Sequence, residues 1–505
     1  MTKRILAAVA LLAVVLGAGA IWWNGRGGDE PSGQRPGAAP SHDGDSEGSS
    51  GGEVPGPAPD VPPAAELAAA ESAPREDSVY PKVGDPGVDA LHYALDLTWL
   101  PEERTLEGVE TVTFRATVDA DSFRLDLGAP LTVSALEVDG EPADFEHPDK
   151  DLVVQRPVRA DQEYTLRLAY SGTPDPVPAP TTRSDFSTTG WTITPTGEVW
   201  TMQEPYGAFT WYAVNDQPAD KALYDFTITV AAPWTGVANG TMTSKETVDG
   251  NTVTSFHLAE PAASYLITIA IGDYAVRRAE TAGGVPLTYW ALRSQPGAFR
   301  DLRFARRAIG WIERKLGPYP FASAGILLTD SESGMETQTL VTLGDTEYAR
   351  SPGVIVHEMV HQWYGDLVTP TDWRDVWMNE GMTMYLQLVY ESETSGRSLD
   401  AQMREVASYD QQLRDQAGPP GAYDASEFGQ TNIYYCPAVM WHELRRKVGD
   451  EEFWRLTREW PRVHAYGNAT RDQWFDWVEA ETGLELTAFF EAWIMGETTP
   501  GAPSA

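Results

Sequence analysis

Two histidines four residues apart, with a glutamate directly after the first, are the residues of this chain best suited to chemistry. The stretch VIVHEMVHQWYGD contains His357, Glu358 and His361. In an α-helix, positions i and i+4 lie on one face, so both imidazoles can bind the same ion. Glu358 then lies beside the ion, where a general base for an attacking water is needed. The HExxH pattern also occurs by chance, so alone it leaves a zinc site and an ordinary helix open.

A third ligand is available downstream, and catalytic zinc requires three protein ligands. The stretch WMNEGMTMYLQLVYE is a second predicted helix with Glu380 near its start, and eighteen residues separate Glu380 from His361. That spacing allows the first helix to end, a turn to form at VTPTDW, and the chain to return antiparallel. We therefore predict one Zn²⁺ ion bound by His357, His361 and Glu380. The alternative is that Glu380 is a solvated helix residue.

The HExxH motif, the eighteen-residue spacing and the glutamate within WMNEG together resemble the zinc aminopeptidase N family of gluzincins. Thermolysin-like endopeptidases share the first motif and a downstream glutamate, but they usually carry an aspartate four residues after it, where this chain has Met384. The resemblance implies an N-terminal β domain followed by a thermolysin-like α+β zinc peptidase domain. It also implies removal of N-terminal residues from peptides.

The family binds the free amine of its substrate through a Gly-x-Met-Glu-Asn motif. Here SGMET is similar to that motif, which implies that Gly334, Met335 and Glu336 bind substrate and that Glu336 holds the α-ammonium. A carboxylate suits this role because it accepts charge-assisted hydrogen bonds. Ser333 and Thr337 replace the first glycine and the final asparagine of the motif.

A second acidic residue comes from the β domain in a Gln-x-Glu-Pro motif of the family. The stretch TMQEP resembles it and implies that Glu204 also binds the substrate amine. Met202 stands in the place of the glutamine, and Gln203 is shifted by one position. Without the family, either glutamate is an ordinary acid among the 74 acidic residues of the chain.

A tyrosine in a Tyr-x-Lys-Gly-Ala motif donates to the oxyanion in this family, and YYCPA resembles that motif. Attack on a carbonyl builds negative charge on its oxygen, so a positioned donor lowers the barrier. The resemblance assigns this role to Tyr434, with Tyr435 as the competing choice. Ala438 is retained, whereas Cys436 and Pro437 replace the lysine and the glycine.

The elements that position these residues differ along the chain, which is long enough for several domains. Alternating apolar and polar residues predict strands in HYALDLTWL, LEGVETVTFRATV, SFRLDLG, EYTLRLAYSG, YDFTITVAA and NTVTSFHLA. They predict an all-β domain over 81–275, either a β-sandwich or saddle-like. Helical spacing, as in AFRDLRFARRAIGWIERKLG, predicts an α+β domain over 276–496 with a tail at 497–505.

Composition excludes some classes of function. The formal charge of −37 repels phosphate backbones, so nucleic-acid binding is not expected. One cysteine, Cys436, rules out an intrachain disulfide. No protein partner is predicted.

The N-terminus predicts export. Lys3 and Arg4 precede an apolar run that ends near Ala18-Gly19-Ala20, so residues 1–24 form a signal peptide or a signal anchor that tethers the chain to a membrane. Residues 25–80 are rich in Pro, Gly, Ser and acidic residues, which predicts a disordered linker. We expect a protein that is secreted or anchored to the outer face of the cytoplasmic membrane.

The resulting hypothesis is an exported zinc aminopeptidase that acts on peptides with a free N-terminus. We expect a short form of the family without its helical C-terminal domain, because the chain ends soon after LTAFFEAWIMG. One alternative is a zinc endopeptidase or an epoxide-hydrolysing relative with the same fold. An alternative of another class is a non-catalytic binding protein that retains the fold.

Overall fold

The structure, a computed structural model, describes residues 54–59 and 61–501. The predicted signal peptide or anchor at 1–24, the first part of the predicted linker and the end of the predicted tail lie outside these residues. Within the part of the chain that the structure describes, no helix combines the length and the apolar character needed to cross a membrane.

Strands dominate the chain as far as residue 272. After the short helix α1 (Ala64–Ala70), they are β1 (Val88–Leu100), β2 (Thr105–Ala116), β3 (Phe123–Asp126), β4 (Leu131–Val138), β5 (Glu141–Pro142), β6 (Phe145–Glu146), β7 (Asp151–Val154), β8 (Glu163–Gly172), β9 (Val177–Pro178), β10 (Thr188–Ile193), β11 (Val199–Met202), β12 (Lys221–Ala231), β13 (Thr235–Ala238), β14 (Thr241–Val248), β15 (Asn251–Ala263) and β16 (Ile269–Gly272). Buried and more exposed side chains alternate along β4 and β12, as in strands with one face on a core. The predicted N-terminal all-β domain is confirmed.

Three sheets build this domain. The largest has the strand order β14-β15-β12-β1-β2-β8-β4-β5, a second has the order β13-β16-β11-β10-β9, and a third has the order β3-β7-β6. Their inner faces share one core that contains Trp99, Trp191 and Trp211. Glu204 follows the end of β11 by two residues, so this core determines where its carboxylate lies.

The second domain is α+β, as the sequence predicts. Its elements are β17 (Tyr274–Glu280), β18 (Pro286–Leu292), α2 (Phe299–Leu302), α3 (Ala305–Leu316), β19 (Ala324–Thr329), β20 (Gly334–Met335), β21 (Val341–Gly344), α4 (Pro352–His361), β22 (Thr369–Pro370), α5 (Trp377–Ser395), α6 (Leu399–Ala407), α7 (Asp410–Ala417), α8 (Asn432–Val448), α9 (Asp450–Val463), β23 (Asn468–Ala469), α10 (Arg471–Thr482) and α11 (Thr487–Ile494). Its sheet has the order β17-β18-β19-β21-β20, with β20 at the edge. The predicted boundary between 275 and 276 falls within β17, which pairs with β18.

Helices α4, α5 and α8 position the chemical residues. The hydroxyl of Ser351 accepts a hydrogen bond from the Val354 N–H, and Pro352 occupies the first helical position, so these two residues define the start of α4. Helix α5 packs against α4 and against α8. Because the buried sides of all three helices belong to one core, their relative positions are set by close packing.

Residues 54–59 and 61–80 differ from the predicted disordered linker, because they lie against the folded domains. Leu67 and Ala70 of α1 are buried, and the Val54 N–H donates to Glu137 Oε1 at 2.8 Å. The guanidinium of Arg167 donates to the carbonyls of residues 54–57. Composition does not reveal this docking, because the side chains that satisfy the segment lie far away in sequence.

Asp77 joins this N-terminal segment to the catalytic domain. Its Oδ1 accepts hydrogen bonds from the backbone N–H groups of Val79 and Tyr80, both at 2.8 Å, and its Oδ2 accepts one from the Trp373 N–H at 2.7 Å. Burial raises the pKa of the carboxyl, and the charge of Asp372 adds to that effect. The buried Asp77 side chain is therefore the hydrogen-bond acceptor of three backbone N–H groups.

We predict that Asp77→Ala lowers the free energy of unfolding by about 2–3 kcal/mol, because buried N–H groups lose their acceptor. Urea denaturation followed by tryptophan fluorescence measures this change. Glu76→Ala, at an exposed neighbouring position, is the matched control and should shift stability by less than about 0.5 kcal/mol. If the two variants unfolded with the same free energy, the hydrogen bonds accepted by Asp77 would not contribute to stability.

Candidate active site

The three predicted ligands converge on one point. His357 and His361 lie on one face of α4, and Glu380 enters from the first turn of α5. Glu380 Oε2 lies 3.1 Å from His357 Nε2 and 3.3 Å from His361 Nε2. Burial opposes ionisation of Glu380, but the positive charge on His361 and hydrogen bonds from both histidines lower its pKa overall. The three donor atoms lie within 4.8 Å of one another.

This donor set fits zinc. Two imidazole nitrogens and one carboxylate oxygen are the ligands of a catalytic zinc site. His361 Nδ1 donates to the Tyr364 carbonyl at 3.1 Å, which leaves Nε2 free to face the ion. His357 Nδ1 is buried and has no hydrogen-bond partner among the described atoms. Gln387 also lines the cavity, and its Nε2 donates to Glu391 Oε1 at 2.9 Å.

Glu358 is buried beside the two histidines and borders the cavity. Burial raises the pKa of its carboxyl well above the usual range, although the charge of His361 opposes the rise. A carboxyl with a raised pKa suits a group that must first accept and then return a proton. A Cβ atom at Gly334 would lie 2.3 Å from Glu358 Oε1, so the glycine gives the carboxylate its room.

Two further carboxylates face the same space. Glu204, from the β domain, and Glu336, which directly follows β20, each place an oxygen within 4.8 Å of Glu380. Glu204 Oε1 and Glu336 Oε1 are both buried and have no hydrogen-bond partner among the described atoms. Burial, and then the charge of Glu336, raise the pKa of Glu204 well above the usual range. Glu336 Oε1 also lies 4.0 Å from His361 Nδ1. Buried carboxylate oxygens that lack a hydrogen bond suit a cationic ligand.

Met335 and Gln203, the neighbours of these glutamates, differ in where they point. Met335 is buried and lines the cavity, where the resemblance to the family places it. Gln203 is used by the β-domain core: its Nε2 donates to the Ser264 carbonyl at 2.8 Å, and its Oε1 accepts from Trp211 Nε1 at 3.0 Å. Gln203 is therefore a structural residue.

Tyr434 stands next to the ligand set. Its ring lies over the His357 ring, with the centroids 5.9 Å apart and an interplanar angle of 29°. Tyr435 also lines the cavity, where burial, followed by the charges of Tyr348 and Glu391, raises the pKa of its hydroxyl. Tyr434 is thus the tyrosine beside the predicted metal site.

Pro437 lies inside α8 and packs against α5. A Cβ atom at Gly381 would lie 2.5 Å from the Pro437 Cβ, so the glycine allows the two helices to approach directly after the ligand Glu380. Cys436 is buried, with its Sγ 3.8 Å from the Asp410 carbonyl. The packing of α8 against α5 thus accommodates Cys436 and Pro437, which replace the lysine and the glycine of the family motif.

A cavity of about 560 Å³ is lined by all of the predicted site residues, which are Glu204, Gly334, Met335, Glu336, His357, Glu358, His361, Glu380 and Tyr434. The β domain contributes residues 182–186 and Glu204 to its wall, and the catalytic domain contributes residues 332–336 and 428–431 together with α4, α5 and α8. The structure therefore brings together every predicted site residue, from two domains.

Sequence reasoning did not identify Arg183 and Thr383. Arg183 Nη1 donates to the Tyr434 hydroxyl at 3.4 Å, and Thr383 Oγ1 lies 3.3 Å from His357 Nε2. Thr383 follows Glu380 by three residues, so helical periodicity could have indicated it. Arg183 lies in the other domain, and no local pattern marks it.

The sequence of this chain matches two models of known protein families. Residues 304–493 match the Peptidase family M1 domain, and residues 89–266 match the Peptidase M1 N-terminal domain. The chain belongs to peptidase family M1. Both domains of this M1 chain are thus accounted for, in the order that the sequence predicts.

Related M1 proteins are longer or of similar size. The chain is 25% identical to aminopeptidase N of Lactobacillus helveticus over 445 residues, which covers 82% of this chain and 51% of that protein. It is also 25% identical to aminopeptidase N of Streptomyces lividans, with 81% and 50% covered. The chain thus spans about half the length of these curated relatives.

A solved M1 structure resembles almost the whole fold. The M1 zinc metallopeptidase of Deinococcus radiodurans superposes with a TM-score of 0.76 at 27% identity, and the match covers 85% of this chain and 98% of that one. A mutant of that protein has been solved with a Tyr-Ser-Ala substrate bound.

We predict that Gly334→Ala lowers kcat by about 10–100-fold, because the added Cβ displaces the Glu358 carboxylate. Steady-state kinetics measures this change, and zinc content and Tm should match the wild type. Gly310→Ala, where a Cβ would meet no atom within 4 Å, is the control and should leave kcat unchanged. An active Gly334→Ala enzyme would show that Glu358 does not need its observed position.

Proposed function

We propose that this M1 chain is an exported zinc aminopeptidase that removes N-terminal residues from peptides. The observation that carries the proposal is that the buried carboxylate oxygens Glu204 Oε1 and Glu336 Oε1, next to the ligand triad, have no hydrogen-bond partner among the described atoms. An α-ammonium group placed between them would satisfy both oxygens and would place the first peptide bond beside Glu358.

His357, His361 and Glu380 would hold one zinc ion. The chemistry that zinc supplies when bound to such a set is Lewis-acid polarisation of the scissile carbonyl and acidification of a water. The protein's own contribution is to orient these ligands and to bury them, since each is at most 7% exposed.

Glu358 acts as general base and then as general acid. It accepts a proton from the attacking water and donates it to the amine nitrogen as the C–N bond breaks. Tyr434 donates its hydroxyl proton in a hydrogen bond to the carbonyl oxygen, where negative charge builds up. The products are the free N-terminal amino acid and the shortened peptide.

The free edge of strand β20 would orient the peptide substrate in the cavity. Strand β20 has a single neighbour, β21, so the other edge of Gly334–Met335 borders the cavity. An extended peptide can bind alongside such an edge through main-chain hydrogen bonds. The peptide complex of the Deinococcus radiodurans relative supports a peptide as the substrate class.

Export is proposed from the sequence alone, since residues 1–24 lie outside the described residues. Fractionation of cells that express the full chain tests it. The protein should be recovered in the medium or on the outer face of the membrane, accessible to added protease. Recovery only inside the cells would contradict export and would leave the chemistry unaffected.

We predict that Glu358→Gln lowers kcat by about 10²–10⁴-fold and retains zinc, because the amide cannot accept the proton. Kinetics on Tyr-Ser-Ala and metal analysis after dialysis measure both properties. Glu380→Gln is the matched comparison and should lose zinc, because it removes a charged ligand. Loss of zinc from Glu358→Gln, or retained turnover, would contradict these assignments.

A free amine should be required. We predict that N-acetylation of Tyr-Ser-Ala abolishes cleavage, since the neutral amide cannot pair with Glu204 and Glu336. Chromatography of the products measures cleavage, and a chelator should abolish that of the free peptide. Cleavage of the acetylated peptide would indicate an endopeptidase. No turnover of either peptide by the zinc-loaded protein would indicate a non-catalytic binding protein.

A further inference from the structure

One cationic side chain reaches the oxyanion side of the cavity from the other domain. Arg183 lies between β9 and β10 of the β domain, and its Nη1 donates to the Tyr434 hydroxyl at 3.4 Å and to the Gly429 carbonyl at 2.8 Å. Among the described residues that line the cavity, Arg183 is the only lysine or arginine. The hydrogen bond to Tyr434 joins residues 251 positions apart.

This contact determines which way the phenol can donate. A guanidinium has only N–H donors, so the Tyr434 oxygen must be the acceptor in their hydrogen bond. The single phenolic proton is then left for another partner, and the space next to it is the cavity. Arg183 thereby disfavours the orientation of the Tyr434 O–H bond in which the phenol oxygen would accept a hydrogen bond from the substrate.

The charge of Arg183 also acts on the phenol. The positively charged guanidinium lies against the phenol oxygen, with Arg183 Nη1 3.4 Å from the Tyr434 hydroxyl. A nearby cation stabilises negative charge that shifts onto the phenol oxygen as its proton is donated.

Arg183 is held in this position by its own partners. Asp185 accepts from Nε at 3.2 Å and from Nη2 at 2.7 Å, which is the fork geometry that fixes a guanidinium plane. The Arg183 side chain is 25% exposed. The group is thus prepositioned, with one Nη1 hydrogen directed at Tyr434.

Other contacts can hold this part of the domain interface without Arg183. Thr182 Oγ1 donates to Glu427 Oε2 at 2.6 Å and accepts from Gln430 Nε2 at 3.0 Å. The Phe428 N–H donates to the Pro180 carbonyl at 2.9 Å. Docking alone therefore does not account for a partly buried guanidinium at the phenol.

From these contacts we infer that Arg183 is a positioning residue for the oxyanion donor: it orients the Tyr434 hydroxyl and strengthens it as a hydrogen-bond donor. The inference rests on the proposed function, in which Tyr434 donates to the substrate. In consequence the β domain contributes two residues to the site: Glu204, which binds the substrate amine, and Arg183, which acts on the oxyanion donor.

A double-mutant cycle tests the inference, with Arg183→Gln, Tyr434→Phe and the combined variant assayed on Tyr-Ser-Ala as zinc-loaded enzymes. We expect Arg183→Gln to lower kcat by about 10–100-fold with KM changed less than about threefold, because the lost interaction acts in the transition state. In the Tyr434→Phe background the same substitution should lower kcat by less than about threefold. Additive losses would overturn the inference.

Two controls separate positioning from docking. Glu427→Ala removes the cross-domain hydrogen bond from Thr182 Oγ1 and does not alter the Tyr434 contact, so its kcat should stay within about twofold of the wild type. Arg183→Lys keeps the charge and should recover part of the kcat lost in Arg183→Gln. A large loss in Glu427→Ala, or equal losses in Arg183→Lys and Arg183→Gln, would indicate that Arg183 serves the interface.

Binding provides a readout that is independent of turnover. A tripeptide analogue with a phosphinic group in place of the scissile amide mimics the tetrahedral oxyanion, whereas free tyrosine mimics the product amine. Calorimetry should show weaker binding of the analogue to Arg183→Gln by about tenfold or more, with tyrosine binding unchanged. Unchanged analogue affinity would overturn the inference.

Failure of the aminopeptidase proposal would give different results from failure of the Arg183 role alone. If zinc-loaded wild type neither cleaves Tyr-Ser-Ala nor binds the phosphinic analogue, the aminopeptidase proposal fails and the positioning role fails with it. If wild type is active and Tyr434→Phe equals it, only the role of Tyr434, and with it that of Arg183, is overturned.

Discussion

Burial of several negative charges in one cavity is the constraint on which the rest of the structure depends. Glu204, Glu336 and Glu380 each place an oxygen within the same 4.8 Å, and Glu358 borders the same space. Carboxylates removed from water are costly unless cations or hydrogen bonds compensate them. The cavity supplies two histidines for a metal and leaves two carboxylate oxygens unpaired, so a metal cation and a substrate ammonium are the ligands that would complete it.

Such a site needs a rigid frame from both domains. Helices α4, α5 and α8 share one packed core, and glycines at 334 and 381 permit the close approaches that the site requires. A second core contains Met202 and Tyr265 of the β domain together with Trp373 and Phe428 of the catalytic domain. This interface carries Glu204 and Arg183 to the cavity, so the reaction centre is a property of the assembled pair of domains.

Much of the site could be predicted because its information is local. The four-residue period of a helix places His357 and His361 on one face, and eighteen residues suffice to return Glu380 to them. The alternation of the strands likewise indicated an all-β domain before an α+β domain, because side chains alternate between the two faces of a strand. The docking of residues 61–80 was not predicted, because their composition resembles that of a linker and their partners, such as Asp372, are almost three hundred residues away.

The sequence by itself predicted the metal ligands His357, His361 and Glu380 and the general base Glu358, and it determined the order of the two domains, since helical period, spacing and strand alternation are properties of short stretches of chain. Only the tertiary structure decided that Glu204 and Glu336 are left unpaired in the same cavity, that Gln203 turns into the core, and that Arg183 contacts Tyr434. These outcomes depend on which distant side chains satisfy each buried polar atom. Hydrogen-bond partners of that kind are chosen by packing across the whole molecule, and no local pattern records them.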